Sequence, residues 1–234
     1  MLRFAVDESF WELFPGALIG AVVVRGVDNR ANAGMCEALL LAQAEQTARE
    51  IGDEEIGTSA AVTPWRSAYQ AFGVKPSKYR SSIEGLLRST KAGRLRSINP
   101  LVDLYNTVSL KHRLPCGGED LRAIVGEIRL TRAAGDELFV PLGGSESEPP
   151  PRGAVIYRDD LGAICSCWNW READRTKLTE TTTEAFLCIE ALPPTGLEAL
   201  RAACDELATL VTEHLGGTAS VAIVDRARGM ASFE

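Results

Sequence analysis

The stretch ALIGAVVVRGV, residues 17–27, constrains the fold more than any other part of the chain. It is rich in β-branched and other apolar residues, and Gly16 and Gly26 stand close to its two ends. A short apolar run of this kind, bounded by turn residues, is typical of a strand in the protein interior. The sequence therefore predicts a buried β-strand near the N-terminus, for which the other elements must supply a core.

Five helices are predicted, four of them in the first half of the chain and one near its end. Residues 32–51 carry apolar residues in helical order, with Asn32 as a cap and Gly52 as the stop. Further helices are predicted to begin at Thr63-Pro64-Trp65 and to cover residues 81–92, 100–112 and 196–215.

Short strands are predicted over residues 123–130, 137–141, 154–157, 164–168, 185–189 and 219–224. Helices and strands do not alternate strictly, so the predicted class is α+β, with helices packed on a mixed sheet in a single compact unit. Residues 1–64 are expected to form an N-terminal strand–helix part of the same fold, and residues 65–234 its core. The polar, proline-rich segment 145–153 is predicted to be a surface loop.

Composition excludes several classes of protein. No apolar run approaches the ~20 residues of a membrane-spanning helix, and the first residues carry acids where a secretory signal carries bases. These features predict a cytoplasmic protein with no membrane partner. The six cysteines are scattered, which favours reduced thiols. With two histidines and no glycine-rich phosphate motif, the sequence predicts no metal and no cofactor, and it leaves the oligomeric state open.

Charge is unevenly distributed along this acidic chain, whose net charge is −7. Residues 66–113 hold ten basic residues against Glu84 and Asp103, so this block carries +8 and the remainder −15. Such asymmetry is what a local phosphate-binding face on an acidic protein would produce. The alternative is that the bases are only the solvated faces of surface helices.

Three polar residues, Asn99, Asp103 and Asn106, recur at helical spacing in the stretch SINPLVDLYNTV. Asn99 suits the N-cap position before Pro100. A mid-helix asparagine is a mediocre helix former whose amide needs partners. Asp103 and Asn106 lie one turn apart, so we expect them to point together into a pocket.

Other polar clusters follow. The Gly117–Gly118 pair either makes a turn or lets a ligand approach backbone N–H groups. Trp168-Asn169-Trp170-Arg171, in a predicted strand, would place both indoles on one face and the polar pair on the other. Glu190 closes an apolar run, and Trp65-Arg66 opens a helix whose aromatic residues form a predicted core stripe.

The order of these pieces resembles a known family. Ser97 to Val108 is similar to the I-N-x-x-V-D-x-x-N-x-V segment of the B3/B4 domain in the bacterial phenylalanyl-tRNA synthetase β subunit. Pro115 then begins a short polar turn, residues 128–137 resemble the R-x-A-x-x-G-E segment of that domain, and residues 183–190 resemble its strand that runs from threonine to glutamate. Further segments look like those of free-standing B3/B4 proteins: residues 65–69, 78–82 and 168–171.

The resemblance implies an activity, because in the synthetase this domain hydrolyses tyrosine wrongly esterified to the phenylalanine tRNA. Asn106 matches the site asparagine of the family, and Glu190 aligns with the glutamate that recognises the tyrosine hydroxyl. Two positions depart from the family: Tyr105 replaces a threonine and Gly117 replaces a histidine. An aminoacyl ester is already activated, so a positioned water and oxyanion donors could hydrolyse it without a histidine base.

The resulting prediction is a trans-editing aminoacyl-tRNA deacylase whose partner is aminoacylated tRNA. The predicted catalytic residues are Asn106, Asn169, Gly117 and Gly118. Asp103, Tyr105, Glu190 and Arg66 are predicted to bind the amino-acid moiety, and Lys75, Lys78, Arg80, Arg88 and Lys91 the tRNA. Two alternatives remain open, a module that binds tRNA or an amino acid without hydrolysis, and a hydrolase of small amino-acid esters.

Overall fold

The computed structural model describes residues 1–234 and has the predicted α+β class. The helices are α1 (Glu8–Trp11), α2 (Ala33–Ile51), α3 (Thr63–Ala71), α4 (Ser82–Lys91), α5 (Pro100–His112) and α6 (Leu197–Leu215). The strands are β1 (Leu2–Val6), β2 (Leu18–Arg25), β3 (Cys116–Asp120), β4 (Ile128–Arg132), β5 (Val155–Arg158), β6 (Ala163–Ser166), β7 (Arg171–Glu172), β8 (Glu184–Ala191), β9 (Thr218–Val224) and β10 (Met230–Phe233). None of the helices is both long enough and apolar enough to cross a bilayer.

The strands form two sheets rather than one mixed sheet. The first has the order β10-β1-β4-β5-β6-β7 and the second the order β3-β8-β2-β9. Only β1 and β4 pair in parallel. The inner faces of the two sheets pack on each other, as the Phe4 and Phe186 rings show with centroids 5.1 Å apart. The outer face of the second sheet packs on α5 and α6 through a separate apolar cluster.

The predicted buried strand is β2, whose residues from Ile19 to Val24 are all buried. It lies between β8 and β9, so both of its edges are hydrogen-bonded. Val22 and Val24 enter the cluster under the helices, whereas Ile19 enters the cluster between the sheets. An apolar run without polar alternation is therefore explained by burial on both faces.

The predicted helices are present, with one difference in capping. Asn32 precedes α2 in the left-handed region (φ 50°) and its side chain does not cap the helix. Its amide instead donates to the His214 carbonyl at the end of α6, 2.7 Å away. Asn99 does cap α5, because its Oδ1 accepts from the Val102 N–H.

Several strand predictions were wrong. Residues 137–141 form no strand, and only Pro141 makes an isolated bridge, to Ala173. Residues 121–123 form a short 3₁₀ turn, so β4 begins only at Ile128. The glycine pair, for which a turn was one of two predicted alternatives, lies in β3, where Gly117 and Gly118 pair with β8. The missed elements β1, α1 and β10 are short, and their few residues carry too little periodicity to be distinguished.

Candidate functional site

A cavity of about 240 Å³ opens between the two sheets. Its buried end is formed by Tyr105, Cys116, Glu119, Tyr157, Cys165 and Phe186, and its more exposed mouth by Ser82, Asn106, Leu142, Asn169, Trp170 and Arg171. Pockets for drug-sized ligands are commonly about 300–1,000 Å³. The volume here suits a ligand of amino-acid size.

Helix α5 places Asn106 and Tyr105 on the cavity wall. Asn106 is partly exposed and its amide makes no hydrogen bond within the protein, so it is available to a ligand at the mouth. Tyr105 is almost fully buried and forms part of the closed end. The cap Asn99 fixes the start of this helix and so the position of both side chains.

Asp103 does not line the cavity, although its spacing predicted that it would. Its carboxylate accepts from the Ser97 hydroxyl at 2.6 Å and from the Ile98 N–H at 3.0 Å. It therefore holds the segment that enters α5, since these donors have no helical partner. A substrate-binding role for Asp103 is not supported by this position.

The two glycines of β3 have different steric surroundings, and a side chain is excluded more strongly at Gly118 than at Gly117. A Cβ on Gly118 would lie 2.5 Å from Leu187 Cδ2, on the face that packs against apolar side chains. A Cβ on Gly117 would lie 3.3 Å from Glu172 Oε1, on the cavity face. The Gly118 N–H donates to that same oxygen at 3.3 Å, and Gly117 pairs with Cys188 in the ladder. The predicted oxyanion donors of this pair are thus already engaged within the protein.

The segment from Cys167 to Trp170 is a turn between β6 and β7, whereas the sequence predicts a strand there. Cys167 and Trp168 have positive φ values of 50° and 65°. This geometry breaks the strand alternation, so that the two indoles separate. Trp168 enters the core, where its ring lies 4.9–5.0 Å from those of Phe10, Phe14 and Trp65, and Trp170 stays at the mouth.

Glu190 lies behind the cavity wall and accepts three hydrogen bonds. Tyr157 Oη and Trp168 Nε1 donate to its Oε1, each at 2.6 Å, and Asn169 Nδ2 donates to its Oε2 at 2.5 Å. Burial raises the pKa of Glu190 to about 7, although the three donors act in the opposite direction. A tyrosine hydroxyl of the protein itself thus occupies the carboxylate that the resemblance assigned to a substrate tyrosine.

Asn169 is held rigidly at the mouth of the cavity. Its Oδ1 accepts from the Tyr69 hydroxyl at 2.9 Å and from the Ser82 N–H at 3.3 Å, and its Nδ2 donates to Glu190. An amide nitrogen carries two hydrogens, so one N–H remains for a ligand. Tyr69, from α3, therefore positions this side chain.

Arg66 lies outside the cavity, in a buried ion-pair cluster. Its guanidinium makes a bidentate contact with Glu84, at 2.6 and 2.9 Å, and Glu84 is 1% exposed. Arg88 donates to the same carboxylate at 3.0 Å. The structure therefore places Arg66, predicted to bind substrate, away from the cavity and against a buried carboxylate that needs a cationic partner.

Comparison with known proteins identifies the family. A model of the B3/4 domain matches residues 64–216, which is more than half of the chain. The chain belongs to the B3/4 domain family. The phenylalanine–tRNA ligase β subunit of Ruegeria pomeroyi is 34% identical to this B3/4 protein over 106 residues, which are 45% of this chain and 13% of that protein. This chain thus spans much less than the full length of that relative.

A solved structure is also similar to the B3/4 protein. It is an N-terminal fragment of the phenylalanyl-tRNA synthetase β-subunit from Pyrococcus horikoshii. The TM-score is 0.49 at 16% identity, and the match covers 92% of this chain and 49% of that chain.

Two acidic residues of the cavity were missed by the sequence analysis. Glu119 lies on β3 and Glu172 on β7, and both line the cavity. Burial raises the pKa of Glu172 to about 7, and burial together with the Glu172 charge raises that of Glu119 well above its usual range. Strand alternation from Gly117 could have placed Glu119 on the cavity face. Nothing in the sequence indicates that Glu172 lies opposite.

The basic residues of the B3/4 protein divide into paired and unpaired groups. Lys75 and Lys78 are exposed and form no ion pair, and Arg80 is 3.9 Å from Glu84 with half of its side chain exposed. Arg88 is ion-paired with Glu84 and Glu55. Lys91 donates to the Glu54 carbonyl but keeps an exposed side chain. Helix α4 begins with Ser82 beside the cavity mouth. The loop that precedes it carries Lys75, Lys78 and Arg80, which are the bases most available to a phosphate group.

Metal-ligating side chains are not grouped in this structure. No three His, Cys, Asp or Glu side chains lie where they could together hold a metal ion. All six cysteines are free.

Proposed function

We propose that this B3/4 protein is a trans-editing deacylase that hydrolyses the ester of a mischarged amino acid on tRNA. The observation that carries the proposal is the amino-acid-sized cavity with free hydrogen-bond donors at its mouth and unpaired bases beside it. A relative named as a phenylalanine–tRNA ligase β subunit, 34% identical over 106 residues, supports a connection with tRNA. We infer that the enzyme acts in the cytoplasm on aminoacyl-tRNA.

The geometry suits a substrate whose amino-acid side chain enters the cavity while the tRNA stays outside. The ester carbonyl would then lie at the mouth, within reach of the Asn106 amide and the remaining N–H of Asn169. Donors that are fixed before the reaction stabilise the oxyanion that develops when water attacks. The amide of Asn169 is fixed by three hydrogen bonds, whereas for Asn106 the capped helix fixes the backbone and leaves the amide free to meet the ligand.

Replacing Asn106 with alanine is expected to lower the deacylation rate by about 100-fold, the usual cost of losing one oxyanion donor. Release of amino acid from a panel of mischarged tRNAs measures it. The matched control is Gln70→Ala, which removes an exposed helical amide that does not line the cavity and makes no hydrogen bond within the protein. If wild-type protein releases no amino acid above the spontaneous rate from any tRNA, the deacylase proposal is wrong.

A second candidate is a binding module without hydrolysis. It is favoured by one observation, namely that the backbone donor of Gly118 is already bound to Glu172. Gly117 also lacks the side chain that the family has there. Such a module would bind aminoacylated tRNA through the same basic surface and cavity, but wild-type protein would protect the ester or leave its lifetime unchanged.

Reversing the charge of Lys75, Lys78 and Arg80 together is expected to weaken tRNA binding strongly at low salt. For each phosphate that the variant no longer binds, the slope of log K against log salt should also fall by about 0.7–0.9. Fluorescence anisotropy across a salt series measures both. The control reverses Arg30, Arg152 and Arg201, which are exposed, lie outside the basic block and form no ion pair. An equal decrease in affinity for the two variants would mean that net charge alone drives binding.

A further inference from the structure

We infer that Glu119, at the closed end of the cavity, and Glu172, a partly buried residue of the same lining, bind an ammonium group, so that the preferred substrate carries a cationic aliphatic side chain of the lysine or ornithine type. The inference rests on the proposed function in placing the amino-acid side chain inside the cavity. It adds the chemical class of that side chain, which neither the family nor its named relatives specify.

The first support is a buried carboxylate with no partner. Glu119 is 5% exposed, and neither of its oxygens accepts a hydrogen bond from the protein. Its Oε2 is completely enclosed, and the nearby Thr176 hydroxyl, which acts to lower the Glu119 pKa, is itself without a hydrogen-bond partner. Buried polar groups almost always have partners, and a buried carboxylate without one destabilises the protein unless it stays protonated or a ligand compensates it.

The second support is the neighbouring carboxylate. Glu172 accepts a single, long hydrogen bond from the Gly118 N–H, 3.3 Å away, and forms no ion pair. The charges of the two groups are coupled, since Glu172 is the charge that most raises the pKa of Glu119. A cation between them would relieve this repulsion and pair with both.

No basic residue of the protein takes this place. Arg171 is the one basic side chain in the cavity lining, and it lies exposed at the mouth, over the ring of Trp170. The partly buried Arg175 makes two contacts with the buried Asp159, at 2.8 and 3.0 Å. Its charge acts to lower the pKa of Glu119, but it forms no ion pair with that carboxylate. The two glutamates of the cavity are therefore left to a ligand.

The walls between mouth and closed end suit an aliphatic chain that ends in a cation. Tyr105, Tyr157 and Phe186 are buried aromatic residues, and Cys165 and Cys188 add weakly polar sulfur atoms. Aromatic faces attract ammonium groups and also pack well on methylene groups. A neutral side chain would bury both carboxylates without compensating either.

The experiment compares the binding of amino-acid amides. These probes contain no ester bond that the protein could hydrolyse, and they need no tRNA. Isothermal titration calorimetry would measure the affinity of the wild-type protein for L-ornithinamide, L-lysinamide and L-norleucinamide. Ornithine and norleucine side chains have the same number of heavy atoms, so this pair isolates the exchange of an ammonium for a methyl group. The α-ammonium is common to all three probes.

We expect at least one of the two cationic amides to bind at least tenfold more tightly than norleucinamide. Glu119→Gln should reduce this ratio to about twofold or less while leaving norleucinamide binding unchanged or stronger. Glu172→Gln is the second variant and should reduce the ratio in the same direction. Equal or tighter binding of norleucinamide to the wild-type protein, or no binding of either cationic amide, would overturn the inference.

The outcome is independent of the deacylase proposal. Preference for a cationic amide without hydrolysis of any mischarged tRNA would leave the ammonium site intact and remove the proposed reaction. Hydrolysis of mischarged tRNAs, combined with no preference for a cationic amide, would leave the reaction intact and remove the ammonium site.

Discussion

Trp168→Ala is expected to lower the free energy of unfolding by about 4–6 kcal/mol, a large part of the stability of an ordinary domain. The indole is fully buried among Phe10, Phe14, Trp65 and Phe72, so truncation leaves a large cavity between the sheets. It also removes the donor to Glu190 Oε1. Loss of a hydrogen bond to a buried carboxylate adds to the cost of the reduced packing.

Urea unfolding followed by circular dichroism would measure this loss. Trp170→Ala is the matched control, because it removes the same side chain two residues away. Trp170 is partly exposed and pairs edge-on with Tyr79 at 4.7 Å, so a loss of about 1 kcal/mol is expected. If the two variants lose the same stability, the indole of Trp168 does not anchor the turn as its contacts indicate.

Stability is also expected to fall as the pH rises from about 4.5 to 7. Burial raises the pKa of Glu190 and that of Glu172 from 4.5 to about 7 in the folded state. A carboxyl group with a raised folded pKa favours folding while it is protonated. Its contribution is complete below the unfolded pKa and is lost as the pH rises through the folded one. Each group could contribute up to about 3 kcal/mol.

Urea unfolding at pH 5 and pH 8 tests this dependence. Glu190→Gln removes one titrating group and should reduce the difference between the two free energies, whereas Glu8→Gln, at an exposed surface site, should leave it unchanged. Carboxylates with lowered pKa values, such as Glu84 and Asp120, act in a separate window, because their stabilisation is lost only as the pH falls below their ordinary pKa values of 4.5 and 3.8. A free energy that stays level or rises between pH 5 and 8 would contradict the prediction.

The elements that could be predicted are those whose signals are local. The apolar run of β2 and the cap and proline at the start of α5 identify their structures from a few adjacent residues. The same local logic identified Asn106 as a polar residue on a helix that needed an explanation. The sequence also singled out Glu190 at the end of an apolar run, and the resemblance added its expected role; in the structure it accepts three hydrogen bonds behind the cavity wall.

The wrong predictions concern side chains and turns whose conformation depends on contacts that form only in the folded protein. Whether Asp103 faces a cavity or its own chain depends on the donors of Ser97 and Ile98, which only the folded segment presents. Arg66 pairs with Glu84 because folding brings their side chains, which are 18 residues apart in the sequence, into contact. The turn that begins at Cys167 requires left-handed backbone at Cys167 and Trp168. Residues other than glycine rarely adopt this conformation, so the sequence does not predict it.

The absence of a side chain at Gly117 has a consequence for how this site can evolve. The space beside that backbone is taken from across the cavity by the Glu172 carboxylate, 3.3 Å from where a Cβ would stand. A side chain at position 117 therefore requires the Glu172 carboxylate to move, and that movement would cost the Gly118 N–H its acceptor. Exchanges at positions 117 and 172 are thus expected to be coupled through the Glu172 side chain, so that the effect of one depends on the residue at the other.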